Sequence, residues 1–225
     1  MIAKRLEVIS ELVTHSRCTA DIGTDHGIVP LKLIDSHRAD KVIATDVSAP
    51  SLNKTQKKVA INHLGSKIIT RLGNGLDPIN KNECDTIIIA GMGGLLIKDI
   101  LNRGVNKIKN ATLILQPMNN AHFVRMFLEF SDYKITKEMI VFENNHYYQI
   151  IVAEPGNMKI DDPIDYWVGC KSARKSDAVF ENFIKSLISK QKEIIHYTKN
   201  QPTANARRKI IQTKNIICML EETLK

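Results

Sequence analysis

Ile2, Leu6, Ile9, Leu12 and Val13 recur every three or four residues, so the chain opens on an amphipathic helix whose polar face carries Lys4, Glu7 and Glu11. The period then shortens. The runs Thr19–Ile22, Lys41–Thr45, Ile68–Leu72, Thr86–Ala90 and Thr112–Leu115 are β-branched and mostly free of charge, as strands of a parallel sheet covered on both faces should be. Helical stretches over 27–36, 49–64, 95–103 and 122–130 lie between them. Strand and helix alternating at this spacing predict a doubly wound α/β sheet. Ile135–Phe142 and Tyr147–Ala153 break the alternation, because only Glu143-Asn144-Asn145-His146 separates them. A link that short leaves no room for a helix and predicts an antiparallel hairpin.

Pro155-Gly156 closes this region, and no strand-like run follows. Phe180, Phe183, Ile184, Leu187, Ile188, Gln191, Ile194 and Ile195 form one helical stripe, and Ile210, Thr213, Ile216, Ile217, Leu220 and Leu224 form another. The break at Asn200-Gln201-Pro202-Thr203 makes the pair an antiparallel helical hairpin of coiled-coil type; helices packed back on the sheet are the alternative. The expected organisation is therefore a sheet domain over 1–156 and a helical hairpin over 157–225.

Composition narrows the picture further. With 225 residues, 43% hydrophobic and 25% charged, the chain can bury a substantial core, which disfavours disordered, collagenous and purely coiled-coil readings. The N-terminal helix lacks the apolar core of a signal peptide, and no stretch is apolar enough to span a bilayer, so a cytoplasmic protein without membrane attachment is expected. Cys18, Cys84, Cys170 and Cys218 are too scattered for a zinc knuckle or redox pair. His15, His37, His63, His122, His146 and His196 are not paired at ligand spacings, so no metal is expected. The net charge of +8 is uneven: 19 basic against 16 acidic side chains over 1–155, and 13 against 8 over 156–225. A basic helical hairpin suits a polyanion, with a solvated charged surface as the alternative.

Chemistry gathers at the strand ends. Asp21-Ile22-Gly23-Thr24-Asp25-His26-Gly27 follows the first strand, where doubly wound sheets hold nucleotides. Its glycines are spaced neither as a dinucleotide fingerprint nor as a phosphate loop, and Asp21 would repel a pyrophosphate. A ligand with an ammonium and a sulfonium, such as S-adenosylmethionine, fits better. Asp46 ends the second strand and can accept hydrogen bonds from ribose hydroxyls, while Gly73-Asn74-Gly75-Leu76 after the third can meet an adenine edge. Ala90-Gly91-Met92-Gly93-Gly94 after the fourth forms a floor of small residues. It carries neither the Asn/Asp-Pro-Pro-aromatic motif of exocyclic amino-methyltransferases nor a Pro-Cys nucleophile.

Ala20-Asp21-Ile22-Gly23-Thr24-Asp25-His26-Gly27, Gly73-Asn74-Gly75-Leu76, Ile89-Ala90-Gly91-Met92-Gly93-Gly94 and Leu113-Ile114-Leu115-Gln116-Pro117 together resemble the bacterial tRNA (adenine-22-N1)-methyltransferases. The likeness runs through the hairpin ending Glu154-Pro155-Gly156 and, more loosely, over the helical C-terminal part. It implies a class I methyltransferase sheet with a C-terminal coiled-coil hairpin, and transfer of a methyl group from S-adenosylmethionine to adenine N1 in the D-loop of tRNA. Asp21, Gly23, Thr24, Asp46, Val47, Asn74, Gly75, Ala90, Gly91, Met92 and Gly93 are the implied cofactor residues. Asn74 stands where the family commonly has Asp, and Asp46 where many members have Glu; neither change removes an acceptor.

Adenine N1 already has an in-plane lone pair, so direct transfer needs no covalent enzyme intermediate, only orientation and electrostatics. The base must leave any pairing to expose N1. Asp25 is the candidate to stabilise the positive charge that develops, with His26 and Gln116 as contacts; a helix cap and a strand-ending turn are the structural alternatives. Arg174, Lys175, Arg207, Arg208 and Lys209 are the candidate phosphate contacts, and a monomer is expected. Remaining open are a methyltransferase of this fold acting on another RNA or a small molecule, a non-catalytic nucleic-acid-binding module, and an interaction protein dimerising through its coiled coil.

Overall fold

The computed structural model describes residues 2–201 and 203–225; Pro202, in the break expected between the last two helices, lies outside the described residues. The chain divides into two compact units, Met1–Lys159 and Ile160–Lys225.

The first unit runs α1 (Lys4–Leu12), β1 (Thr19–Ile22), α2 (Ile28–Asp35), β2 (Val42–Asp46), α3 (Ala49–Ile61), β3 (Ile68–Leu72), β4 (Thr86–Met92), α4 (Gly94–Arg103), α5 (Val105–Ile108), β5 (Thr112–Pro117), α6 (Ala121–Glu129), β6 (Tyr133–Glu143) and β7 (His146–Pro155). The sheet order is β3-β2-β1-β4-β5-β7-β6. β1 to β5 are parallel, and β7 is antiparallel to both β5 and β6. Strand order reverses between β1 and β4, which leaves a crevice at their carboxyl ends. Ile87, Ile88, Ile89, Leu113, Ile114 and Leu115 are wholly buried along the central strands. Each contributes about 1.5–3 kcal/mol relative to an exposed position.

The hairpin is tighter than its sequence suggests. Glu143 pairs with His146, leaving Asn144 and Asn145 as a two-residue turn with φ of 50° and 60°. Asparagine tolerates this left-handed geometry, which matches the twist of the flanking strands. Arg125 of α6 is buried; its Nε donates to Glu138 Oε1 of β6 and its Nη2 to Gln149 Oε1 of β7, both at 2.7 Å. This clamp seats α6 on the hairpin.

The second unit contains α7 (Asp165–Val168), α8 (Ala178–Thr198) and α9 (Ala204–Glu222). Asp177 caps α8 through the N–H groups of Val179 and Phe180, and Thr203 caps α9 through Ala206. α8 and α9 pack against each other, and Lys192 Nζ lies 3.9 Å from Glu221 Oε1. Phe180, Phe183, Ile184 and Ile188 of the first predicted stripe and Thr213 and Leu220 of the second are buried, as is Ala206 outside both; the other stripe residues are half-buried. Arg207, Arg208, Lys209 and Lys175 are exposed. Arg174 corrects the sequence reading: its side chain is only 8% exposed, its Nη1 bonds Asp165 Oδ1 (2.6 Å) and the Gly169 carbonyl, and its guanidinium lies 4.8 Å from the Phe180 ring centroid. It is an internal brace and not a free cation for phosphate.

Candidate active site

The carboxyl ends of β1, β2 and β4 and the loop after β3 open into one cavity of about 620 Å³, within the range of small-molecule sites. The loop after β1 is tied to β2, because the N–H groups of Gly23 and Thr24 both donate to the Thr45 carbonyl at 2.8 Å. Gly23 has φ of 76°, and a Cβ there would lie 2.1 Å from Met92 Cε. Glycine therefore permits both the turn and the close approach of Met92, whose flexible end forms the local wall.

Asp21 lines the cavity yet is nearly buried. Burial raises its pKa to about 6; the Thr24 hydroxyl acts against the shift and the charge of Asp46 adds to it. Asp46 is fixed by the Ser48 N–H, which donates to Oδ1 at 2.6 Å. Asn74 stands at the wall with its Oδ1 accepting from Arg103 Nη2 at 3.3 Å. On the β4 side, Gly91 forms a bulge between Ala90 and Met92, and its N–H donates to Gln116 Oε1 at 3.2 Å. Gly94 opens α4 where a Cβ would stand 2.3 Å from the Asn120 carbonyl, so the α4 entrance and the loop after β5 meet backbone to backbone.

Of the residues singled out from sequence, Asp21, Gly23, Asp25, Asp46, Val47, Asn74, Gly75, Ala90, Gly91 and Met92 meet at this cavity. Thr24 is buried behind the wall and Gly93 caps α4; neither lines it. Asp25 is 81% exposed at the mouth, with His26 Nε2 3.3 Å from its Oδ1; His26 itself lies off the wall. Gln116 is 0% exposed and holds the Gly91 bulge, so it positions the cavity floor instead of facing a substrate. Arg5, Leu6, Leu96 and Ile100 also line the cavity and were not foreseen. Arg5 sits in a helix whose periodicity marks only a generic polar side, and the apolar residues carry no signal beyond hydrophobicity. The Tyr148 ring lies beneath the Arg5 guanidinium, 5.0 Å from Cζ to ring centroid.

A family model described as a methyltransferase domain matches residues 2–151. The tRNA (adenine(22)-N(1))-methyltransferase of Bacillus subtilis is 36% identical over 157 residues, 69% of this chain and 66% of that protein, just under two thirds of its length. The crystal structure of the B. subtilis M1A22 tRNA methyltransferase TrmK superposes with a TM-score of 0.91 at 30% identity, covering 100% of this chain and 99% of that one. The chain belongs to the tRNA (adenine(22)-N1)-methyltransferase family. The Streptococcus pneumoniae protein Sp1610, solved with S-adenosyl-L-methionine, matches with a TM-score of 0.88 at 30% identity, covering 100% of both chains.

For a methyltransferase of this family, the cavity suits the methyl donor on its own chemistry. Asp21 and Asp46 offer carboxylates to an ammonium and to ribose hydroxyls, Ile22, Ile28, Val29, Leu96 and Ile100 supply apolar walls for a nucleoside, and the glycine turn admits close backbone approach.

Proposed function

We propose that this chain methylates N1 of adenine 22 in tRNA with S-adenosylmethionine as donor, acting in the cytoplasm as a monomer. The observation that carries the reading is the cavity at the strand-order reversal, which joins a nearly buried Asp21, a fixed Asp46 and an exposed Asp25. S-adenosylmethionine supplies an electrophilic methyl group on a sulfonium. Asp21, Asp46, Asn74 and Gly75 hold the donor, with the Gly91 bulge and Gln116 shaping the floor. Adenine N1 attacks with its own lone pair, so no protein base removes a proton beforehand. Asp25 stabilises the cationic adenine ring that results, and its charge gains strength once the base covers it and excludes water.

Lys175, Arg207, Arg208 and Lys209 in the second unit bind phosphates and position the RNA without reading bases. Incubation with methyl-labelled cofactor and unmodified tRNAs, followed by nucleoside mapping, tests the reading. Label recovered as 1-methyladenosine supports it; label in protein, in a small molecule or at adenine N6 refutes it.

A further inference from the structure

Cys18 and Cys84 stand 66 positions apart and form no redox motif in sequence, yet the fold brings their sulfurs into contact, Sγ to Sγ 3.5 Å. Cys18 leads into β1 and Cys84 towards β4, and these two strands pair side by side. We propose that the two residues form a redox-active dithiol, in which a peroxide oxidises Cys18 and Cys84 resolves the product to a reversible disulfide.

The contact is built from both sides. The Asp85 N–H donates to the Cys18 carbonyl at 3.1 Å, and the Asp85 carboxylate accepts from the Ser16 hydroxyl and, at 3.0 Å, from the Arg17 N–H. Ahead of Cys84, Glu83 accepts from Arg71 of β3 at 2.8 and 2.6 Å and from the Asn80 N–H at 2.9 Å. Both chain segments are thereby fixed, and closing a bond of about 2.05 Å asks the sulfurs to approach by only about 1.5 Å.

The two thiols are not equivalent. The hydrogen bond from Cys84 lowers the Cys18 pKa despite burial; Lys41 assists, while Glu83 and Asp85 oppose. The same hydrogen bond and its own burial raise the Cys84 pKa. Cys18 is therefore the thiolate that attacks and Cys84 the thiol that follows. Both residues are buried, but their sequence neighbours Arg17 and Asp85 have side chains 75% and 38% exposed, so the pair lies just beneath the surface, open to a small oxidant.

Attack of the Cys18 thiolate on hydrogen peroxide breaks the O–O bond, gives the sulfenic acid and releases hydroxide, which takes up the proton Cys18 had shed. Cys84 then attacks the Cys18 sulfur, and its proton leaves with the displaced hydroxyl as water. The two thiols lose two electrons, and the peroxide is reduced to two waters.

Treating the folded full chain carrying Cys218→Ser, which removes the exposed thiol, with hydrogen peroxide tests the proposal by mass mapping. The product should be about 2 Da lighter, carry Cys18 and Cys84 in one disulfide-linked peptide pair, and regain both thiols with a reductant. In Cys84→Ala, Cys18 should stop as a sulfenic acid trapped by dimedone, and more peroxide should carry it to a sulfinic acid about 32 Da heavier that the reductant does not reverse. Cys18 and Cys84 both still open to alkylation after denaturation, Cys18 overoxidised while Cys84 stays free, or a disulfide from either to Cys170 would overturn the proposal. The Cys218→Ser chain alone decides among these results if Cys84→Ala does not fold.

Discussion

Cofactor affinity should depend on pH through Asp21, and the expected size follows from its surroundings. Burial raises the Asp21 pKa from 3.8 to about 6, with Asp46 adding to the shift. Folded protein thus holds this proton more tightly than unfolded chain, so Asp21's contribution to stability is present below pH 4 and is lost as pH rises through about 6. Binding of an ammonium-bearing ligand runs the other way, because it needs the ionised carboxylate. With a pKa of about 6, Asp21 is about 90% ionised at pH 7 and about 10% at pH 5, so affinity should fall about tenfold between them. Binding below pH 6 should also release a proton, visible as a dependence of the calorimetric enthalpy on the buffer's ionisation heat. Titrations with S-adenosylhomocysteine at pH 5, 6 and 7 measure the effect, and Asp21→Asn should bind weakly with no such slope. A flat wild-type profile, or an equal slope in Asp21→Asn, would refute the assignment of the ammonium to Asp21.

Asp25→Ala should lower turnover about a hundredfold with little change in cofactor affinity, measured by single-turnover methyl transfer beside calorimetry; a collapse of cofactor affinity would make Asp25 a cofactor residue. Reversing the charges of Arg207, Arg208 and Lys209 should weaken tRNA binding and flatten its salt dependence while sparing cofactor binding, as filter binding at several salt concentrations would show. Arg125→Met strands Glu138 in the core and should cost about 3–5 kcal/mol in urea unfolding, whereas a change below about 1 kcal/mol would mean the α6 clamp is not holding the hairpin.

The sheet was legible because its strands carry unbroken β-branched runs and its connections carry helical periods; neither depends on tertiary detail. Asp21, Asp46, Gly75 and Gly91 were legible for a related reason, since glycine-rich turns at strand ends mark the crevice in any doubly wound sheet. What escaped depends on partners distant in sequence. Arg5 acquires its place from Glu143 and Tyr148 of the hairpin, and nothing within α1 distinguishes it from Lys4 or Glu7. Gln116 and Arg174 show the converse: polar residues in suggestive positions are consumed internally, one by the Gly91 bulge and the other by Asp165 and Phe180. Charge patterning located a basic helical unit but could not separate Arg174 from its exposed neighbours.

Methylation is expected at one atom of one nucleotide, and paired tRNA transcripts that differ only at position 22 read it out. With labelled S-adenosylmethionine, the transcript carrying adenine at 22 should be labelled and release 1-methyladenosine, and the transcript carrying guanine there should stay unlabelled. Equal labelling of both transcripts, or label recovered from any other position, would contradict the account.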